Sequence, residues 1–299
     1  MIKRILSKLD SLHFSFRYSK LFYLNTVCSL LTSNEKGLQS YNKIRYGSIV
    51  CVYLAFCLPF SLPVHGAGDV KLPPKHDWSF SGPTGTFKRD QLQRGFQVYS
   101  EVCSACHGLE LIRYEKLQAL GFTPEEIKAI AGQKEIPGPL NDDGEPTVVK
   151  ATPADHFAKP YPNKQAARAA NNGAYPPDMS LIVKARMHGA DYIHALLTGY
   201  KTPPEGFEVM PGMYYNTYFA GNQIAMPPPL ADGQVEYSDG TKATIDQMSE
   251  DITAFLAWTS EPELEQRRNL GIKVLIYLAF FTFLMASLMR RVWKKIKAK

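Results

Sequence analysis

Cysteine all but disappears from this chain after its first sixty residues. Cys28, Cys51 and Cys57 lie early, and from Ala67 onward only Cys103 and Cys106 remain. That scarcity excludes a small secreted fold stapled by several disulfides. A structural zinc site would need two further ligands, usually a second Cys/His pair, and no second C-x-x-C exists. Periodic repeats and low-complexity tracts are also missing, so solenoid and compositionally disordered architectures do not apply. Acid is absent from the last ten residues, and charge is nearly absent from two apolar runs that bracket the chain.

The first apolar run, residues 46–64, has no charge and follows Lys43 and Arg45. Its core is short, contains Pro59, and leads to Gly66-Ala67-Gly68. A basic start, an apolar centre and a small-residue exit predict a signal peptide, with a retained N-terminal anchor as the competing reading. Residues 1–45 carry eight Lys/Arg against Asp10 and Glu35. They read either as an organelle-targeting prefix or as an over-extended start. The second run, residues 270–289, holds one charge, Lys273, and at 1.5 Å per residue is about 30 Å long as a helix. The tail that follows has six basic residues, which places it on the cytoplasmic or matrix side, with Trp293 at the interface. The expected organisation is a targeting prefix and signal peptide over residues 1–66, a globular domain over 67–268, and a transmembrane anchor with a basic tail over 269–299.

Although the whole chain is +6, the two basic ends each contribute +6, leaving residues 67–289 at −6. An acidic domain held at a membrane face attracts a basic partner and speeds its arrival; mild acidity also simply aids solubility. No nucleic-acid partner is expected.

What remains is one short motif of high information, Cys103-Ser104-Ala105-Cys106-His107. Random placement of this chain's Cys and His would produce C-x-x-C-H about 0.002 times. The spacing is that of covalent c-type haem attachment: two thiols add to the vinyl groups, and the adjacent imidazole becomes the proximal iron ligand. If both cysteines are linked in this way, residues from Ala67 onward retain no spare thiol.

Periodicity predicts four helices around this motif. Residues 88–99 place Leu92, Phe96 and Tyr99 on one face, with Gly95 suggesting a close helix–helix contact. Residues 123–131 begin with a Thr123/Glu126 capping box, and residues 178–198 and 244–258 carry apolar stripes. Between them lie Pro/Gly-rich loops such as Ile136-Pro137-Gly138-Pro139, and residues 234–240 are expected to form a short hairpin. The fold class is therefore mainly α, a haem domain with long wrapping loops followed by one C-terminal transmembrane helix.

The second axial ligand decides whether such a haem carries electrons or binds small molecules. His13, His65, His76, His156, His188 and His194 compete for it. Met179, Met187 and Met248 fall on predicted helices, where a methionine is usually core, whereas Met210, Met213 and Met226 lie in loops. Met226 is followed by three prolines, whose stiffness suits holding a thioether in place.

Several stretches together resemble the cytochrome c1 family, the haem c subunit of the quinol–cytochrome c reductase (bc1) complex. They are Arg94-Gly95-Phe96-Gln97-Val98-Tyr99 leading into the C-x-x-C-H motif, Pro160-Tyr161-Pro162-Asn163, residues 166–174, Pro176-Pro177-Asp178, residues 196–200, Tyr215-Asn216 and Ala225-Met226-Pro227-Pro228. The resemblance implies one covalent haem c on Cys103 and Cys106, His107 and Met226 as axial iron ligands, and Arg186 paired with a haem propionate, a role suited to its bidentate donors. It further implies electron transfer from the Rieske iron–sulfur protein to cytochrome c beside cytochrome b, with no bond chemistry in this chain. The rival readings are a haem subunit of another respiratory complex, or a sensor or enzyme with an exchangeable distal ligand. The ends depart from the family: the prefix is atypical of bacterial members, and the tail lacks the extension usual in mitochondrial ones. The expected location is a bacterial plasma membrane with a periplasmic haem domain; the alternative is the mitochondrial inner membrane, facing the intermembrane space.

Overall fold

The computed structural model describes residues 71–297. The prefix and signal peptide, with Cys28, Cys51, Cys57, His13 and His65, lie outside the described residues. The architecture is mainly helical, with two small β-ribbons and long irregular connections.

Helix α1 (Arg89–Glu101) buries Leu92, Gly95, Phe96, Val98 and Tyr99. It packs against the later helix α5 (Ile245–Ser260), which starts at Thr244, whose hydroxyl accepts from Gln247 N at 3.1 Å. Gly95 is the reason the two helices approach so closely. A Cβ there would stand 2.1 Å from Asp251 O and 2.7 Å from Phe255 Cβ. Arg94 spans the same crossing. Its Nε and Nη2 donate to the fully buried Asp251 at 2.9 and 3.2 Å, and its Nη1 donates to Asp239 at 2.8 Å. Burial raises the Asp251 pKa, and the Arg94 bonds counter that shift. Phe96, Tyr99, Tyr114, Phe157, Phe255 and Trp258 complete an aromatic core around the crossing.

A 3₁₀ segment, Tyr114–Leu120, ends at Gly121 in the left-handed region and leads to α2 (Pro124–Gly132), where the expected Thr123/Glu126 capping box is formed. Strands β1 (Glu135–Leu140) and β2 (Pro146–Lys150) pair antiparallel, Ile136 opposite Val149. The Pro-rich stretch expected as a loop instead forms one strand of a two-stranded ribbon, in which every strand is an edge, the setting where proline is tolerated. The hairpin expected at residues 234–240 does not form. Val235 and Tyr237 alternate into the core as strand residues would, yet the Glu236 carbonyl is taken by the Gln97 side chain at 2.9 Å and only a turn closes, Gly240 N to Tyr237 O.

Helix α3 (Lys164–Ala170), capped by Asn163, is followed by a long loop and then α4 (Gly189–Thr198). The sequence periodicity extends this last helix back to residue 178, but the chain reaches it through turns. His188 and Gly189 both have positive φ, 65° and 52°, which interrupts a right-handed helix. Asp178 meanwhile spends its carboxylate on the N–H groups of Glu110 and Ser180. Met187, expected on that helix as core, is instead 83% exposed in a turn. Met179 is buried in the loop, and Met248 is buried on α5. After α4, a second ribbon pairs β3 (Tyr214–Tyr215) with β4 (Gln223–Ile224).

The last helix, α6 (Leu264–Lys297), contains 34 residues and an apolar window of mean hydropathy 2.1, none of it buried. It is the one helix among the described residues long and apolar enough to cross a membrane. It begins earlier than the apolar run, so Glu265, Arg267 and Arg268 lie in its first turns. Those turns are fastened to the domain. Glu265 accepts from Phe87 N at 2.7 Å and Arg89 Nη2 at 2.6 Å, and Arg268 Nη1 donates to Phe80 O at 2.8 Å and Gly85 O at 2.7 Å.

Candidate haem site

Helix α1 delivers the chain into a tight 3₁₀ turn, Cys103–Ala105. Cys106 N and His107 N both donate to Cys103 O, at 3.1 and 2.9 Å, so both thiols and the imidazole leave one turn of backbone. Both cysteines are free and partly buried. Burial pushes the Cys103 thiol up to about 12, with Cys106 adding to the effect. Tyr161 Oη lies 3.8 Å from Cys106 Sγ and is itself held by Asn171 Nδ2 at 3.1 Å.

The His107 ring is oriented by its Nδ1, 2.8 Å from Pro177 O. A carbonyl only accepts, so this contact puts the proton on Nδ1 and leaves Nε2 with a free lone pair, the tautomer an iron ligand needs. Burial lowers the His107 pKa, partly offset by the Pro177 bond and Asp178, which favours the neutral ring. Tyr99 Oη donates to His107 O at 3.1 Å. The loop carrying Pro177 is docked on the turn through Met179 N to Gly108 O (2.9 Å) and Glu110 N to Asp178 Oδ2 (2.7 Å).

Met226 lies two residues beyond β4, partly buried, and its carbonyl accepts from Tyr200 Oη at 3.1 Å. Burial raises the Tyr200 pKa, and neighbouring Tyr192 adds to the shift; burial also raises that of Tyr192, against the charge of Arg186. Of these residues, Tyr200 and Met226 are in direct contact. Arg186 is exposed, and among the described residues its guanidinium donates only to the adjacent Ala185 O, which leaves donors for an anionic group. Of the other loop methionines, Met210 is 60% exposed, and Met213 lines a cleft of about 680 Å³ with Tyr200, Tyr215, Pro228 and Leu230.

The competing histidines are engaged or exposed. His76 Nε2 lies 3.6 Å from Glu250, and His194 Nε2 lies 3.2 Å from Asp246, off the line of a hydrogen bond. His156 and His188 are exposed. Among the described residues, no three His, Cys, Asp or Glu side chains cluster to hold a metal ion. Two free thiols, a neutral imidazole with its outer nitrogen free, and a guanidinium with spare donors are the donor set a covalent haem requires, and they fit it. Sequence reasoning missed the orienting roles of Tyr99, Pro177 and Tyr200. Their motifs were visible, but the partners lie 8, 70 and 26 residues away.

Comparison with known proteins identifies the family. The profile of the Cytochrome C1 family matches residues 78–296. The chain is 46% identical over 239 residues to cytochrome c1 of Rhodospirillum rubrum, covering 75% of this chain and 88% of that protein. It is 47% identical over 227 residues to "Cytochrome c1, heme protein, mitochondrial" of Kluyveromyces lactis, covering 76% and 78%. It is 44% identical over 243 residues to "Cytochrome b/c1" of Bradyrhizobium diazoefficiens, where the match covers 74% of this chain and 35% of that longer protein. With a family profile spanning the domain and the start-to-end run of α6, this chain belongs to the cytochrome c1 family.

Proposed function

We propose that this protein is the haem c subunit of a quinol–cytochrome c reductase. In that role it takes single electrons from the Rieske iron–sulfur protein and passes them to cytochrome c, while cytochrome b handles quinol. The observation that carries the reading is the Cys103-x-x-Cys106-His107 turn with His107 Nδ1 bound to Pro177 O, in a chain of this family.

Haem, when bound, supplies the one-electron iron couple; the chain supplies everything that places and tunes it. Cys103 and Cys106 would form the two thioethers that fix one haem to the domain. His107 would offer Nε2 to the iron, with its ring locked by Pro177 so that the basicity of that nitrogen is raised. Met226 would offer its thioether sulfur, a donor that favours the reduced iron relative to imidazole or water. Arg186 offers bidentate, charge-assisted donors to a propionate. Helix α6 anchors the domain, and its basic tail keeps the haem domain on the opposite, outer face of the membrane. The net charge of −6 over residues 67–289 suits a basic electron acceptor.

The test is Met226→Leu, which keeps volume and apolarity but removes the sulfur. Haem stays attached, and the reduction potential drops by on the order of 100 mV or more, within the roughly 0.8 V span that axial ligation controls. Electron transfer from the Rieske centre in the purified complex then slows, and carbon monoxide binds the reduced protein. An unchanged potential and unchanged carbon monoxide response would remove Met226 from the ligand set and make Met210 or Met213 the next candidates.

A further inference from the structure

We infer that Asn216 is the positioning residue that keeps Met226 in place, acting through a buried polar knot closed by Tyr200; this rests on the reading of Met226 as the distal ligand. Met226 sits on a long excursion between the end of α4 and the start of α5, and the described part of that excursion holds little regular structure beyond the two-residue strands β3 and β4. Such short strands do not hold a loop by themselves. What secures it is one asparagine with no solvent exposure.

Every hydrogen-bonding group of Asn216 is used. Its Nδ2 donates to Leu196 O at 2.8 Å, in the last turn of α4. Its Oδ1 accepts from Tyr218 N at 3.0 Å and Phe219 N at 3.3 Å. Its own N donates to Asn222 O at 2.9 Å, and its O accepts from Asn222 Nδ2 at 3.3 Å. The side chain therefore ties the helix end to the first half of the loop between β3 and β4, and the Asn216 backbone closes the loop on Asn222. Gly199 makes room for it: a Cβ at that position would meet Asn216 Oδ1 at 2.9 Å and Tyr218 Cδ2 at 2.7 Å. The backbone adds Thr217 N to Gly199 O at 2.9 Å and an antiparallel bridge between Tyr200 and Asn216.

From this knot the restraint runs to Met226 by two routes. One is covalent, through β4, two residues before Met226. The other is the Tyr200 hydroxyl, which leaves the same bridge and donates to Met226 O. With both in place the methionine backbone is fixed from two directions, and the thioether does not have to be ordered anew each time it meets the iron. Leaving buried amide groups without partners is costly, so the closed loop is strongly preferred over an open one. Asn216 touches neither iron nor haem in this scheme; its effect is on how often the sulfur is away.

The experiment uses the full-length, haem-loaded protein and reads two signals: the sulfur–iron charge-transfer band of the ferric form, and the rate at which the reduced form binds carbon monoxide. Asn216→Ala, which removes three side-chain hydrogen bonds, is expected to keep its covalent haem, weaken the band, and bind carbon monoxide at least about tenfold faster, the factor that loss of even one well-made buried hydrogen bond produces. Tyr200→Phe removes a single hydroxyl and is expected to move both signals the same way by about threefold. It carries the test alone if Asn216→Ala does not accumulate. Ile127→Ala, a core truncation on α2, lowers the melting temperature without altering either signal, which separates positioning from general destabilisation. Wild-type band and carbon monoxide rates in Tyr200→Phe and in any Asn216→Ala obtained, alongside a Met226→Leu control that changes both, would overturn the role of the knot. If Met226→Leu itself changes neither, the ligand assignment fails first and the knot's role falls with it.

Discussion

Replacing Gly95 by alanine puts one methyl group into the close crossing of α1 and α5. Two small terms favour the change: alanine is better than glycine inside a helix by about 1 kcal/mol, and a buried methyl adds about 0.8 kcal/mol of transfer free energy. Against them stands the geometry. The new Cβ would lie 2.1 Å from Asp251 O and 2.7 Å from Phe255 Cβ, and both obstacles belong to α5 close to its backbone, so no flexible side-chain end can swing aside. Relief requires α1 and α5 to separate by about 1 Å, and a gap of that size forfeits a quarter to a half of the dispersion energy of the atoms it parts. The contacts at risk include Phe96 with Phe255 and the Arg94–Asp251 pair. Overpacking of this kind costs about 3 kcal/mol at its usual upper end, which leaves a net loss of about 1–2 kcal/mol after the favourable terms. For a domain of this size that lowers the melting temperature by about 2–8 °C. Thermal unfolding of the haem-loaded protein, followed by far-ultraviolet circular dichroism, measures it. A Gly95→Ala protein as stable as wild type, or more so, would refute the argument that close approach requires this glycine.

Replacing both Cys103 and Cys106 by serine removes the groups able to form thioethers, so haem staining of a denaturing gel should vanish at this protein's mass; full-strength staining would defeat the attachment assignment. His194 gives a pH prediction with a definite sign. Burial lowers its pKa below 6.5, with His76 adding to the effect and Asp246 and Glu250 opposing it. The unfolded chain therefore takes up a proton near pH 6.5 that the folded chain refuses, and stability falls as pH drops from there toward the folded pKa. In melting-temperature profiles, His194→Gln should show a shallower acid slope than wild type; parallel profiles would show that His194 contributes nothing to it.

The residues proposed to carry chemistry stand out in the sequence because their signals are local. C-x-x-C-H is a fixed spacing, the Thr123/Glu126 capping box spans four residues, and the 34 residues of α6 are announced by an apolar run and a basic tail. Gly95 also pointed to its role, since a glycine in a helical stripe needs a reason. What the linear pattern could not decide was set by contacts distant in the chain. The apolar stripe over residues 178–198 was genuine, but His188 and Gly189 turn left-handed and Asp178 binds Glu110 N, so only Gly189–Thr198 is helical. Val235 and Tyr237 alternate as a strand would, yet no neighbouring strand meets them, and pairing is a property of two segments rather than one. The tautomer of His107 depends on a carbonyl 70 residues away, and the hold on Met226 depends on an asparagine bonded to the end of α4. Sequence by itself determined which groups are available to a haem, because bond-forming chemistry resides in single side chains at short spacing. Only the tertiary structure decided how those groups are aimed, because aim comes from hydrogen bonds between segments that meet only when the chain is folded.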